Sequence, residues 1–272
     1  MSYAPVIPMG GYAGWKFLNR TMEKQQAAFT ASAQIQRNED YFREKIGSVT
    51  TAAELVADRR LLSVALGAFG LDDDINNRYF IQKVLDEGSL DGDALANKLA
   101  DKRYLALTKA FGFGDFSTPR TVLSDFPDEI VAQYRERQFE IAVGEADNSM
   151  RLALSLRRDL PELAAQGTSE KTKWFTIIGS NTMSTVFRTA LGLPESVSSL
   201  NIDQQLEIYR SRTEQAFGSS DPGQFAQPDR IEELIKTYLL RAELGSGAAA
   251  SSQSIALQLL SASAGSGLSI LL

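Results

Sequence analysis

The chain has no cysteine and no histidine in 272 residues. Without cysteine there are no disulfides and no thiolate chemistry. Without histidine, the commonest general base near neutral pH and the commonest transition-metal ligand are both missing. No run approaches the ~18 uncharged apolar residues that a membrane-spanning helix needs. The first residues lack a basic region leading into an apolar core, so no cleaved secretory signal is expected. Sustained apolar–polar alternation in β-branched residues is also lacking, so no sheet of consequence is expected.

What the chain does have is the composition of a globular protein, 43% hydrophobic and 23% charged. Its net charge of −6 gives no reason to expect nucleic acid or an anionic membrane as partner. The length fits one large domain or two ordinary ones.

The strongest periodicity lies in Phe139–Leu156. Phe139, Val143, Ala146, Met150 and Ala153 recur at steps of three and four, while Ile141, Leu152 and Leu156 fall opposite. A helix apolar on two faces packs on both sides. Asp125-Phe126-Pro127-Asp128-Glu129 supplies its start, with Pro127 in the first turn and two acids at the positive end of the dipole. The pattern predicts one helix to about Arg158, roughly 32 residues and about 48 Å at ~1.5 Å per residue. Other helices are expected at Ala52–Phe69 (capped by Thr50 or Thr51), Asp74–Glu87, Thr182–Leu191 (capped by Ser180 or Asn181), Asp203–Phe217 and Asp229–Glu243. Leu160-Pro161 is expected to break the chain, and a short helix carries Trp174 and Phe175. The fold class is therefore all-α, an irregular multi-helix domain around a long central helix.

An internal echo runs through this region. Val56-Ala57-Asp58-Arg59-Arg60-Leu61, ending in Ala68-Phe69-Gly70-Leu71, returns about 43 residues later as Leu99-Ala100-Asp101-Lys102-Arg103-Tyr104, ending in Ala110-Phe111-Gly112-Phe113. Looser versions end in Ala190-Leu191-Gly192-Leu193 and Ala216-Phe217-Gly218. The physical meaning is a helix stop: left-handed glycine ends the helix and the next apolar residue folds back. Leu71 is expected to meet Leu66, Phe113 to meet Leu107 and Leu193 to meet Phe187. Two clear copies are too few for a solenoid.

No constellation amounts to an active site. Asp72, Asp74 and Asn76 fall at calcium-loop spacing, but Asn77 and Lys83 stand where glycine and a bidentate glutamate are needed. Glu140, Glu145 and Asp147 lack the histidines of a di-metal bundle, and ion pairs with Arg151 or a neighbouring arginine are the expected use of them. Gly10–Gly14 follows no strand and has no lysine at phosphate-loop spacing. No Ser-x-x-Lys motif stands out. No catalytic, cofactor-binding or metal-binding residue is assigned.

The two ends differ from the middle. Residues 1–14 carry no charged side chain and are broken by Pro5, Pro8 and three glycines, which reads as a flexible arm before a helical domain at 15–244. Residues 245–272 form an uncharged linker and apolar tail. Ile255, Leu257, Leu259, Leu260, Leu268, Ile270, Leu271 and Leu272 of the tail are the candidate interaction residues.

Several segments together resemble a bacterial all-helical domain-of-unknown-function family, often encoded within flagellar gene clusters. They are the Asp40-Tyr41-Phe42 entry, Val56–Leu61, Ala65–Leu71, Ala100–Tyr104 and Phe139-Glu140 with Val143-Gly144. Arg151–Leu154, Trp174, Ala190–Pro194 and Ile202–Gln205 complete the set. The resemblance spans roughly residues 15–245 and brings no catalytic residues with it. It implies a setting, the bacterial flagellum. The expected role is a non-enzymatic structural or assembly component, exported without a cleaved signal, with flagellar proteins or further copies as partners through the termini. A cytoplasmic chaperone or regulator of flagellar assembly is the alternative, and a small-ligand binder or enzyme a remote one.

Overall fold

The Thr51 hydroxyl accepts from the Glu54 backbone N–H while the Glu54 carboxylate accepts from Thr51 N–H, a reciprocal capping box that starts a helix at Ala52. Local signals of this kind recur along the chain. In the computed structural model, which describes residues 3–245, they produce an all-α fold with no strand among the described residues. The helices are α1 (Gly11–Thr30), α2 (Ala33–Lys45), α3 (Ala52–Ala57), α4 (Arg59–Phe69), α5 (Arg78–Glu87), α6 (Leu95–Lys98) and α7 (Arg103–Phe111). They continue with α8 (Phe126–Ala146), α9 (Asn148–Ala165), α10 (Glu170–Gly179), α11 (Asn181–Ala190) and α12 (Ile202–Phe217), and α13 covers 228–245. Two compact units share them: one of residues up to Pro8 with Lys16–Ser155, the other of Met9–Trp15 with the chain from Leu156 on.

In the first unit the core is the packing of α4 on α8. Every residue from Val64 to Phe69 is buried. Gly67 sets the approach, because a Cβ there would lie 2.9 Å from the Tyr134 ring of α8. Phe126 at the start of α8 stacks edge-on against Phe111 at 5.0 Å, and Phe139 meets Phe29 of α1 at 5.7 Å.

The second unit is organised around aromatic rings. Trp174 of α10 lies edge-to-face with Phe187 of α11 (5.6 Å) and Tyr209 of α12 (6.0 Å). Phe225 continues the stack to Phe187 and Phe217. The Trp174 indole N–H donates to the Ser220 carbonyl at 2.9 Å, so the one polar atom of this buried ring is satisfied.

Several expectations are corrected. The long central helix is two helices, α8 and α9, parted at Asp147 (φ −150°, ψ 104°), whose carboxylate accepts from Ser149 and Met150 N–H. An aspartate that caps the next helix competes with continuing the previous one. Ile141 is exposed, while Met150, Leu152 and Leu156 are buried. Ala52–Phe69 is likewise parted at Asp58, which caps α4 through Arg60 and Leu61 N–H. The helix expected from Asp74 begins at Arg78, after a 3₁₀ turn at Asp72–Asp74. Pro161 does not end its helix: α9 runs on to Ala165, with buried Leu160, Leu163 and Ala164 holding the turn around the missing N–H.

All four expected glycine stops are left-handed, with φ of 69° at Gly70, 69° at Gly112, 64° at Gly192 and 83° at Gly218. Gly70 and Gly192 end their helices in the paired-bond form. Leu71 N–H reaches Leu66 O (2.9 Å) while Gly70 N–H reaches Gly67 O, and Leu193 N–H reaches Arg188 O (2.9 Å) while Gly192 N–H reaches Thr189 O. Gly112 and Gly218 use the single bond, to Thr108 O and Glu214 O, both at 2.8 Å.

Candidate functional site

The candidate interaction residues Ile255, Leu257, Leu259, Leu260, Leu268, Ile270, Leu271 and Leu272 lie outside the described residues. The other uncharged end is described from Tyr3. Helix α1 takes in Gly11–Gly14, which the sequence places in the arm, so the irregular part is residues 3–10. Within the first unit this segment is anchored. The Gln25 carboxamide of α1 accepts from Val6 N–H at 2.7 Å and donates to Val6 O at 3.1 Å. Pro5 is buried and Val6 points outward. Thr21 fixes which way the carboxamide faces: its hydroxyl donates to Phe17 O (2.9 Å) and accepts from Gln25 Nε2 (2.8 Å). Gln25 itself is only 5% exposed. Sequence reasoning missed this residue, since a lone glutamine in a Gln- and Ala-rich helix carries no local signal of a partner 19 positions away.

The second unit has a cleft of about 420 Å³ between the start of α10 and one face of α12, lined by Ser169, Glu170, Lys171, Asp203, Leu206, Glu207 and Arg210. Its charges are spent on each other. Arg210 donates to Glu170 (2.9 Å) and Glu207 (3.3 Å), and Lys171 reaches Asp203 at 3.5 Å. The Glu170 hydrogen bond, then its charge, raises the pKa of Arg210. The Ser220 hydroxyl also donates to Glu170, at 3.1 Å. Ser169 is occupied in capping α10 through Thr172 N–H.

Of the acidic groups weighed as metal ligands, Asp72, Asp74, Glu140 and Asp147 have structural partners, and Glu145 is exposed. Asp72 accepts from Gln138 (2.7 Å), and Asp74 accepts from Tyr104 (2.7 Å) and Asn77 (2.7 Å). Burial, then the Asp74 hydrogen bond, raises the Tyr104 pKa, so its phenol stays a donor. Glu140 accepts from Ser155 at 3.0 Å, and Arg151 turns to the Asn148 side chain (3.0 and 2.8 Å), not to the nearby carboxylates. Among the described residues no group of acids is arranged to hold a metal ion, and no helix is long and apolar enough to cross a membrane.

The family described as a protein of unknown function, DUF1217, matches residues 68–231. The chain belongs to this family. The DUF1217 match opens within α4 and closes within α13, taking in the Gly70, Gly112, Gly192 and Gly218 helix stops and the Trp174 aromatic cluster. The chain is also similar to protein AGR_C_984 from Agrobacterium tumefaciens, known from a crystal structure. That protein is 25% identical, with a TM-score of 0.72 over 89% of this chain and 99% of that one. No curated protein matches this DUF1217 chain.

Proposed function

We propose that this DUF1217 protein is a non-enzymatic structural or assembly component of the bacterial flagellum, working through protein–protein contacts. The observation that carries the proposal is the composition of the C-terminal stretch. Residues 244–272 have no charged side chain, yet hold eight large aliphatic residues between Ile255 and Leu272. Covering them releases about 25 cal/mol per Å² of apolar surface, part of which is consumed in ordering a glycine- and serine-rich segment. A surface of that kind suits a binding partner better than water. The flagellar setting is supported by the resemblance of Asp40–Gln205 to proteins encoded beside flagellar genes. The pairing of charges within the α10–α12 cleft agrees with a surface that makes contacts.

The test is a deletion strain scored for swimming, with the tagged protein located in cells and in the shed filament fraction. Loss of swimming with the protein in the filament or basal structure is the expected result. Normal swimming ends the proposal. A swimming defect with the protein confined to the cytoplasm replaces it with a chaperone or regulator of assembly.

A further inference from the structure

A groove of about 640 Å³ runs along the first turns of α12, with Leu200, Gln204 and Ile208 in one row and Asp203 and Glu207 in the next. Leu200 is 38% exposed. It stands one position before the Asn201 cap, where an apolar residue ordinarily packs on the fourth helical residue. Here that residue is Gln205, and its amide is turned back to the Ser198 and Leu200 carbonyls (3.4 and 2.8 Å). Leu200 is left without the usual apolar partner.

The polar rim of the groove is already satisfied. Asp203 pairs with Lys171 at 3.5 Å, Glu207 pairs with Arg210 at 3.3 Å, and the Asn201 side chain accepts from Gln204 N–H at 2.9 Å. A charged occupant would gain little from these groups and would lose its own hydration. The groove suits an uncharged aliphatic segment.

That describes one stretch of this chain. Residues 244–272 carry no charged side chain, and Ile255, Leu257 and Leu259 fall at alternate positions. Extended, they would present three aliphatic side chains on one face over about 13 Å at ~3.3 Å per residue. The row from Leu200 to Ile208 measures about 12 Å at ~1.5 Å per residue.

The stretch also starts close enough. Helix α13 ends the described chain at residue 245, and a Cβ on Gly192 would run into its Arg241 guanidinium. From Gly192 the backbone reaches Leu200 through a 3₁₀ turn at Glu195–Ser199, a path of at most about 22 Å. The ten links from Gly245 to Ile255 can span about 35 Å. A tether of this length holds its end at an effective concentration in roughly the millimolar range, so a contact too weak to hold a free peptide still closes.

We propose that Ile255–Leu259 of the chain's own C-terminal stretch docks in the α12 groove and is held there until a partner takes it. This rests on the reading of that stretch as the partner-binding element and adds how it is kept in the unpartnered protein. The two fail separately, because swimming reads the partner while the measurement below reads the groove in purified protein.

The chain contains no cysteine, so Ser211→Cys and Ser261→Cys place two spin labels cleanly in the full-length protein. Ser211 is exposed on α12 about one turn beyond Ile208, and Ser261 follows the docking segment. Diluted into excess unlabelled protein, the doubly labelled chain should give a narrow distance distribution by double electron–electron resonance. Leu200→Asp should replace it with a broad one. Leu257→Ser combined with Leu259→Ser, which leaves the helical body unaltered, should do the same. A broad distribution in the unsubstituted protein overturns the proposal, as does a narrow one that survives both sets of substitutions. So does a narrow distribution found only on mixing singly labelled populations, because the occupant would then belong to a second copy.

Discussion

The Arg103 guanidinium, at the start of α7, donates to the carbonyl oxygen of Gly70, at the end of α4. The two residues belong to the two copies of the echoed motif. Arg103 is anchored beside it by Asp101, at 3.0 Å from Nε. One copy's opening thus caps the other copy's close, supplying a cation to a helix C-terminus.

Gly70→Ala and Gly112→Ala should each cost about 1–2 kcal/mol, because a Cβ is unfavourable in the left-handed region. Each also has a side-chain neighbour where its Cβ would stand, the Arg137 guanidinium at 3.2 Å for Gly70 and the Phe116 ring at 2.8 Å for Gly112. Gly47→Ala, with nothing within 4 Å, is the control and should stay within about 0.5 kcal/mol. Urea unfolding midpoints decide it: equal shifts for all three would remove the helix-stop account.

A tighter crossing occurs at Gly114. Its N–H donates to Leu85 O at 3.1 Å, and a Cβ there would run into the Asp86 carbonyl and the Gly88 N–H. Both obstacles are backbone and neither can swing aside. Gly114→Ala should cost at least about 2 kcal/mol. Gly92→Ala in the adjacent loop has open space and should be close to neutral. Thermal denaturation of the two variants side by side is the measurement.

Glu39 of α2 is 2% exposed and accepts two bonds from Arg135 of α8, one of them 2.6 Å from Nε, with Arg43 at 3.4 Å as a second cation. Arg135→Ala leaves a buried carboxylate with one poorer partner and should destabilise by about 2–4 kcal/mol. Combining it with Glu39→Met should recover most of the loss, since the penalty is the unpaired charge. A double-mutant cycle showing simple additivity would rule out the coupling.

Stability should fall in acid. Burial opposes ionisation of Asp58, but hydrogen bonds from Tyr41 (2.6 Å) and from Leu61 and Arg60 N–H outweigh it and hold its carboxyl below the usual range. The same contest at Asp115 is won by Ser89 and Leu90, and at Asp101 by Arg103. A carboxyl whose folded pKa is depressed stabilises the fold fully above its unfolded value of about 3.9. That contribution is lost as pH drops through the lower folded value. Unfolding midpoints should therefore hold steady from neutral pH to about 5 and decline below about 4. Asp58→Asn should shallow the decline, and an unchanged slope would assign the acid sensitivity elsewhere.

Deleting residues 246–272 should leave the melting midpoint of the helical body within a few degrees while abolishing the partner contacts made through that stretch and impairing swimming. A melting midpoint many degrees lower would make the stretch part of the core. Normal swimming would make it dispensable.

The helix stops at Gly70, Gly112, Gly192 and Gly218 were readable from residue order, and the caps were narrowed to two residues each, of which the structure uses Thr51 and Ser180. Each is settled within six residues, by the φ a glycine permits or by a hydroxyl reaching a nearby N–H. The breaks at Asp58 and Asp147 had the same kind of local signal, an aspartate two and three residues before free helical N–H groups, but apolar periodicity on either side masked it. Pro161 went the other way: burial of Leu160 and Leu163 overrode a local preference to stop. Other relationships join residues far apart in the chain: Val6 with Gln25, Glu39 with Arg135 and Gly114 with Asp86. A glutamine, a charge pair and a glycine look ordinary in one dimension. They acquire a role only in the packed structure, because burial removes water as the alternative partner of the polar groups and brings backbone too close to Gly114 for a side chain.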